Sequence, residues 1–241
     1  MGYKESMISF DEKNSRSEKL LQAAAHLFAR WGFDKTTVEE IAREADVSKG
    51  AVYLEFKGKD ELFRAVVYRE LVRYTEDWLR RFEADREAWN FAGMFRHSIA
   101  AIHANPFIKG LVTRDRRIYG DFLKRDTTLV SMVMSMRKDF FGMLQSSGAV
   151  RDDIPPATLA YLLTSMAFGI VAGGDIIPEE DNVPFDDALR GLALLLDRGL
   201  APVGATGNEE SARLFFGRMV GMIRTLLEEL GLPDKEKEEE K

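Results

Sequence analysis

Apolar residues return every three or four positions along nearly the whole chain, and that period predicts helices. Over Ser17–Trp31 the stripe is Leu20, Leu21, Ala24, Leu27, Phe28 and Trp31. Over the next short stretch it is Val38, Ile41, Ala42 and Ala45, with Glu39, Glu40, Arg43 and Glu44 left for water. A long amphipathic run follows from Asp60 to about Asp85, then Trp89–Ala104, Phe107–Tyr119 and Phe122–Ser146. Beyond it come Pro155–Gly174, Ala188–Leu200 and, after a link at Ala201–Asn208, a last amphipathic helix over Glu209–Gly231. No convincing alternation of apolar and polar residues appears, so the expected fold is all-α.

The punctuation between these runs is equally legible. Gly32 ends the first helix by supplying a left-handed residue, and Phe33 then folds back as an apolar contact. Thr37 and Glu40 have the spacing of a capping box, each satisfying a backbone N–H of the other. After Asp46 and Val47, Ser48 offers a second N-cap to a helix of about two turns, Lys49 to Phe56. So short a helix must be held by a neighbour, and Val52 and Phe56 are placed to pack on Ile41 and Ala45. Lys49, Gly50, Ala51, Tyr53 and Leu54 are then left for the outer and flanking surfaces. Two readings fit: a helix-turn-helix whose second helix enters a major groove, or a plain helical hairpin inside an all-α core.

The run Ile41–Phe63, IAREADVSKGAVYLEFKGKDELF, resembles the DNA-binding signature of the tetracycline-repressor (TetR) family of bacterial transcriptional regulators. The segment LLQAAAHLFARWGFDKTTVEEIA before it resembles that family's first helix, glycine turn and second-helix start. The likeness covers about residues 16–63. Leu54 and Glu55 stand where relatives commonly carry an aromatic residue and a histidine, and Asp46 where many carry glycine. Residues 1–15 are expected to be a disordered arm and 232–241 a charged disordered tail, and the resemblance implies a helix-turn-helix DNA-binding domain at 16–60 and a ligand-binding and dimerisation domain at 61–231. Thr37, Lys49, Tyr53 and Lys59 are assigned to phosphates, and Ser48, Gly50, Ala51 and Leu54 to the groove and base edges. Lys49 has guanine O6/N7 as an alternative, and Glu55 either accepts from cytosine N4 or faces solvent.

The resemblance also implies a small-molecule effector, hydrophobic or amphipathic, in the bundle. Candidate lining residues are Phe63, Val67, Phe95, Ile99, Met132, Met136, Phe140 and Met166, the methionines being suited to an adaptable apolar pocket. The helix from Asp60 is in that family the lever between pocket and DNA, since any tilt of it carries the reading unit along. The family's final long helices form its dimer interface, which implies a homodimer through 155–174 and 184–230. Pro155–Gly174 carries no charge, and its length lies near the lower limit of a membrane span. No Lys or Arg anchors either end, so a buried helix covered by the core and by a second subunit is expected, with no membrane partner.

Composition narrows the chemistry. The 241 residues are 45% hydrophobic, enough for a substantial core, and carry a net charge of -6. Residues 1–61 hold ten Lys/Arg against twelve Asp/Glu, yet Ser48–Lys59 holds three lysines against one glutamate, and distribution matters more than total. The absence of cysteine excludes disulfides, thiolate metal sites and a cysteine nucleophile, and suits a reducing cytoplasm. The N-terminus has no apolar stretch long enough for a signal peptide. Of the three histidines, His26 lies beside an apolar stripe as a structural residue, while His97 and His103 are six apart and cannot meet one metal. No metal or cofactor is expected. Arg114, Arg116 and Arg117 with Asp115 form either a solvated cluster or an anion contact. No Gly-x-Ser-x-Gly, His-Glu-x-x-His, P-loop or dinucleotide fingerprint occurs, so the chain is not expected to be an enzyme. The expected function is a homodimeric, ligand-responsive repressor on a near-palindromic operator. The alternative is a helical dimeric protein-interaction module without DNA binding.

Overall fold

In chain order the helices are α1 (Arg16–Trp31), α2 (Val38–Glu44), α3 (Lys49–Glu55), α4 (Lys59–Ala84), α5 (Phe91–Ala104), α6 (Pro106–Thr113) and α7 (Arg116–Tyr119). They continue as α8 (Phe122–Arg125), α9 (Thr127–Ser146), α10 (Pro156–Ile176) and α11 (Phe185–Leu200), with a 3₁₀ turn at Glu179–Asp181. This computed structural model describes residues 16–85, 90–146 and 148–200, without the side chains of residues 128–130, 132–138 and 175. Among the described residues there is no strand. The arm at 1–15, Trp89, the link Ala201–Asn208, the helix expected over Glu209–Gly231, the tail at 232–241 and the side chains of Met132, Met134 and Met136 lie outside them.

The described chain divides into two units. The first holds residues 16–73 and Pro106–Thr127, so α1 to α3 are gathered with the first half of α4 and with α6 to α8. Its centre is aromatic. Phe63 on α4 meets Phe28, Phe33, Tyr119 and Phe122 at ring-centroid distances of 4.8, 4.9, 5.4 and 4.7 Å. Each such pair adds roughly 0.5–1.5 kcal/mol beyond burial alone. Phe33 therefore does fold back after Gly32, whose φ of +82° is the left-handed turn that ends α1. Trp31 does not join this core. It is 51% exposed, and the Arg30 guanidinium lies 4.7 Å over its ring, so the last turn of α1 faces water.

Two further departures from the periodicity have polar causes. The expected helix from Phe122 to Ser146 is broken at Asp126, which leaves helical geometry at φ -101° and ψ 85°. Its buried carboxylate accepts from Arg64 Nε at 2.7 Å, an anchor on α4 that fixes the kink. Positions 65 to 70 of α4 are buried all round rather than along one stripe. Arg69 among them is fully buried and forms an ion pair with Glu18 of α1 at 3.0 Å. Removing one partner of such a pair costs about 3–5 kcal/mol, because the other is left as an uncompensated buried charge.

The second unit holds Tyr74–Asn105 and residues 128–200. Asn90 caps α5 by accepting from the Gly93 N–H at 2.8 Å. The Trp78 indole donates to the Met94 carbonyl at 2.9 Å, and Tyr74 shares a hydrogen bond of 2.7 Å with Ser98, which fastens the second half of α4 to α5. Helix α5 packs along α11 and against α10. On α10 the buried stripe is Leu159, Leu163, Ala167 and Val171, four apart, while Tyr161, Leu162, Met166 and Phe168 are exposed. Residues Pro156–Gly174 have the length and mean hydropathy, 1.5, to cross a membrane, but one side of the helix is packed on α5 and α11. Leu189, Leu192 and Leu196 are the buried stripe of α11, and Leu194 and Leu195 its exposed one.

Candidate nucleic-acid interface

The start of α2 is built as its sequence requires. Thr37 Oγ1 accepts from the Glu40 N–H at 3.2 Å, and Glu40 Oε2 accepts from the Thr37 N–H at 2.9 Å. The Thr37 hydroxyl also donates to that carboxylate at 2.8 Å, so the cap already uses it on both sides. At the other end Asp46 takes a φ of +55°, the left-handed conformation that follows many helix ends. Asp46 N–H reaches the Arg43 carbonyl at 3.2 Å and Val47 N–H the Ala42 carbonyl at 2.9 Å, the crossed pair of a Schellman turn. Aspartate is among the few side chains that tolerate this conformation, which explains how the turn forms without glycine.

Ser48 then caps α3 by accepting from the Ala51 N–H at 3.1 Å. Val52 and Phe56 are buried, as are Ile41 and Ala45 of α2 against which the pattern placed them. The remaining side chains divide by position around the helix. Gly50, Ala51 and Leu54 lie opposite the buried pair, and Leu54 is 81% exposed. Lys49 and Tyr53, four apart, run along one edge, and Tyr53 is half exposed. Glu55 lies on the other edge. A Cβ added to Gly50 would meet nothing nearer than Ser48 Oγ at 3.8 Å, so the fold itself makes no demand for glycine there. Small residues at the centre of the face permit a partner to approach closely.

The lysines are not idle. Lys49 Nζ is bonded to Glu39 of α2 and sits 5.9 Å from the Tyr53 ring. That bond raises the Lys49 ammonium and lowers the Glu39 carboxyl from their ordinary pKa values. Lys59 Nζ donates to the carbonyls of Phe33 and Thr36 at 2.9 and 3.0 Å and lies 4.4 Å over the Phe33 ring. Two of its three N–H groups thus close the loop between α1 and α2. Sequence reasoning did not find this fastening, because its acceptors are backbone carbonyls more than twenty residues away.

The residues expected to line a ligand pocket are distributed between the units. Phe63 and Val67 are fully buried in the first, Phe63 inside its ring cluster. Ile99 is fully buried in the second, Phe95 and Phe140 are half-buried, and Met166 is 44% exposed on the outer face of α10. Beside Phe95 lies a polar group: Arg96 is paired with Asp85, and His97 Nε2 lies 3.2 Å from the same carboxylate. Burial lowers the His97 pKa, and the neighbouring Arg96 charge adds to that, against the pull of Asp85. Burial alone would raise the Asp85 carboxyl, but His97 and Arg96 outweigh it and hold it below its ordinary value. His103 stacks on Phe185 at 4.0 Å, and His26 meets Glu44 at 3.0 Å, a polar tie from α1 to α2. Arg117 pairs with Asp115 and Arg116 with Asp121, which makes most of the basic cluster internally compensated.

Comparison with known proteins agrees with this geometry. Residues 20–66, which run from the core of α1 into α4, match the profile of bacterial regulatory proteins, tetR family. The HTH-type transcriptional repressor Rv1474c of Mycobacterium tuberculosis is 25% identical over 167 residues, 68% of this chain and 85% of that protein. In fold the chain is similar to the fatty acid degradation regulator FadR of Bacillus halodurans, with a TM-score of 0.57 at 12% identity over 78% of this chain and 97% of that one. It is similar also to the transcriptional regulator FadR of Bacillus subtilis in complex with stearoyl-CoA, with a TM-score of 0.55 at 13% identity over 74% and 96% of the two chains. Capped α2, the Schellman turn and the uncovered face of α3 thus lie in the segment, residues 20–66, that is similar to the DNA-binding unit of bacterial regulatory proteins of the tetR family.

Proposed function

We propose that this protein is a homodimeric repressor that holds a near-palindromic operator and is released by a hydrophobic or amphipathic small molecule. The observation that carries the DNA half is the face of α3: Val52 and Phe56 face inward, while Lys49, Gly50, Tyr53 and Leu54 are uncovered. Tyr53, with the single remaining N–H of Lys59 and with Lys49 once released from Glu39, is suited to phosphates, and Gly50, Ala51 and Leu54 to the groove floor, Leu54 against a thymine methyl. Homodimerisation is supported by the apolar residues left outside on α10 and α11. Tyr161 and Leu195 are both 72% exposed, and Leu162, Met166, Phe168 and Leu194 accompany them. A surface of that kind is costly to leave in water and fits a second copy.

The ligand half rests on the apolar interior of the bundle and on the Bacillus subtilis FadR, which is seen with stearoyl-CoA. We assign to this chain an acyl-type effector that binds more tightly to the conformation whose recognition helices are wrongly spaced, so that DNA affinity falls by that difference. The test is a salt-titrated binding assay on the DNA upstream of its own gene, with and without long-chain acyl-CoA. Salt-sensitive binding that acyl-CoA reverses supports both halves. Binding that acyl-CoA leaves unchanged removes the acyl effector. No binding at any salt favours the protein-interaction module, for which the exposed Leu54 and the acidic Glu55 are the supporting features.

A further inference from the structure

A helix lying in a major groove about 12 Å wide has a phosphate backbone on each side. On α3 the two edges are chemically unequal. One edge carries Lys49 and Tyr53, both suited to phosphate. The other carries Glu55, which taken alone would repel the second backbone. The structure supplies a cation there: Arg16, the first residue of α1, places Nη1 4.0 Å from Glu55 Oε1, and its side chain is 55% exposed. We infer that Arg16 is a phosphate contact on the second wall of the groove and that Glu55 is its positioning residue rather than a base reader.

This rests on the DNA-binding reading and deepens it. The long side chain of Arg16 is anchored at an exposed site by one carboxylate at the far end of the recognition helix, so the two ends of the sequence motif meet at one edge. An exposed pair of this kind contributes little to stability, and its geometry can be exchanged for a phosphate without disturbing the fold. An arginine matches phosphate oxygens with a planar fork, and Glu55 limits where that fork can point.

The experiment is a fluorescence-anisotropy titration of the full chain against a mixed-sequence duplex long enough to offer two successive major grooves, repeated over a range of salt. The proteins are wild type, Arg16→Gln, Arg16→Lys, Glu55→Ala and the double variant Arg16→Gln/Glu55→Ala, each checked for wild-type circular dichroism and melting. The slope of log K against log salt should flatten by about 0.9 per protomer in Arg16→Gln and return in Arg16→Lys. Glu55→Ala should change affinity in the wild-type background and have no effect beside Arg16→Gln. An unchanged slope in Arg16→Gln, or a Glu55→Ala effect that persists beside it, overturns the assignment and leaves DNA binding standing. A wild type that binds no duplex overturns the DNA reading and this inference together.

Discussion

The carbonyl oxygen of Arg117 occupies the space that a side chain on Gly32 would need: a Cβ there would lie 1.9 Å from it. Beside this approach the Phe33 N–H donates to the Ile118 carbonyl at 2.8 Å. The turn that ends α1 is therefore docked, backbone to backbone, on the α7 segment. Gly32→Ala combines a left-handed alanine with a collision against backbone that cannot swing aside. It should destabilise the fold by more than about 2 kcal/mol, seen as a fall in urea midpoint with an unchanged m-value.

Gly50 presents the opposite case. With open space around its Cβ position and an αR helical setting, Gly50→Ala should leave the fold intact or stabilise it by roughly 0.5–1 kcal/mol. DNA binding should nonetheless weaken by about tenfold, some 1.4 kcal/mol, because the added methyl stands on the face proposed to meet the groove. A thermal melt and a binding isotherm on the same variant check both parts.

Under the proposed DNA-binding role, Glu39 would compete with DNA for Lys49. Glu39→Gln removes the carboxylate that holds the Lys49 ammonium, so affinity for duplex should rise, most visibly at low salt. The complementary Lys49→Gln should lower affinity and flatten the salt slope by about 0.9 per protomer. Equal binding by the two variants would mean that Lys49 serves α2 alone.

Acidification should loosen the second unit before the carboxylates titrate. His97 is held below its ordinary pKa of 6.5, so its neutral form is the one the fold favours. The unfolded chain takes up that proton first, and stability present above pH 6.5 is lost as pH falls through the folded value. Asp85, also lowered, adds a loss in the same direction below its ordinary 3.8. Urea midpoints measured from pH 7.5 downward should fall across the histidine range, and His97→Gln should flatten that part of the curve.

Local signals carried most of what was legible in the chain. The capping box at Thr37 and Glu40, the serine cap at 48 and the glycine at 32 each act within four residues, and each is seen in the structure. What escaped is long-range and polar. Nothing near Asp126 announces that it ends a helix, because its partner Arg64 is sixty-two residues away. Nothing in the sequence pairs Arg69 with Glu18, which meet only when α1 and α4 are brought together. The compact unit around the helix-turn-helix also extends past residue 60, because Phe63 shares its ring cluster with Phe107, Tyr119 and Phe122 from far down the chain. The edges of α3 could be listed from its sequence, but the neighbour of Glu55 could not.

The proposed regulator requires two copies of α3 entering successive major grooves on one side of a duplex. Hydroxyl-radical footprinting of DNA selected by the full protein from a random library measures that most directly. Two protected patches about one helical turn apart, on sequences that have become near-palindromic, are the predicted result. A single protected patch, or a library that never enriches, would contradict it.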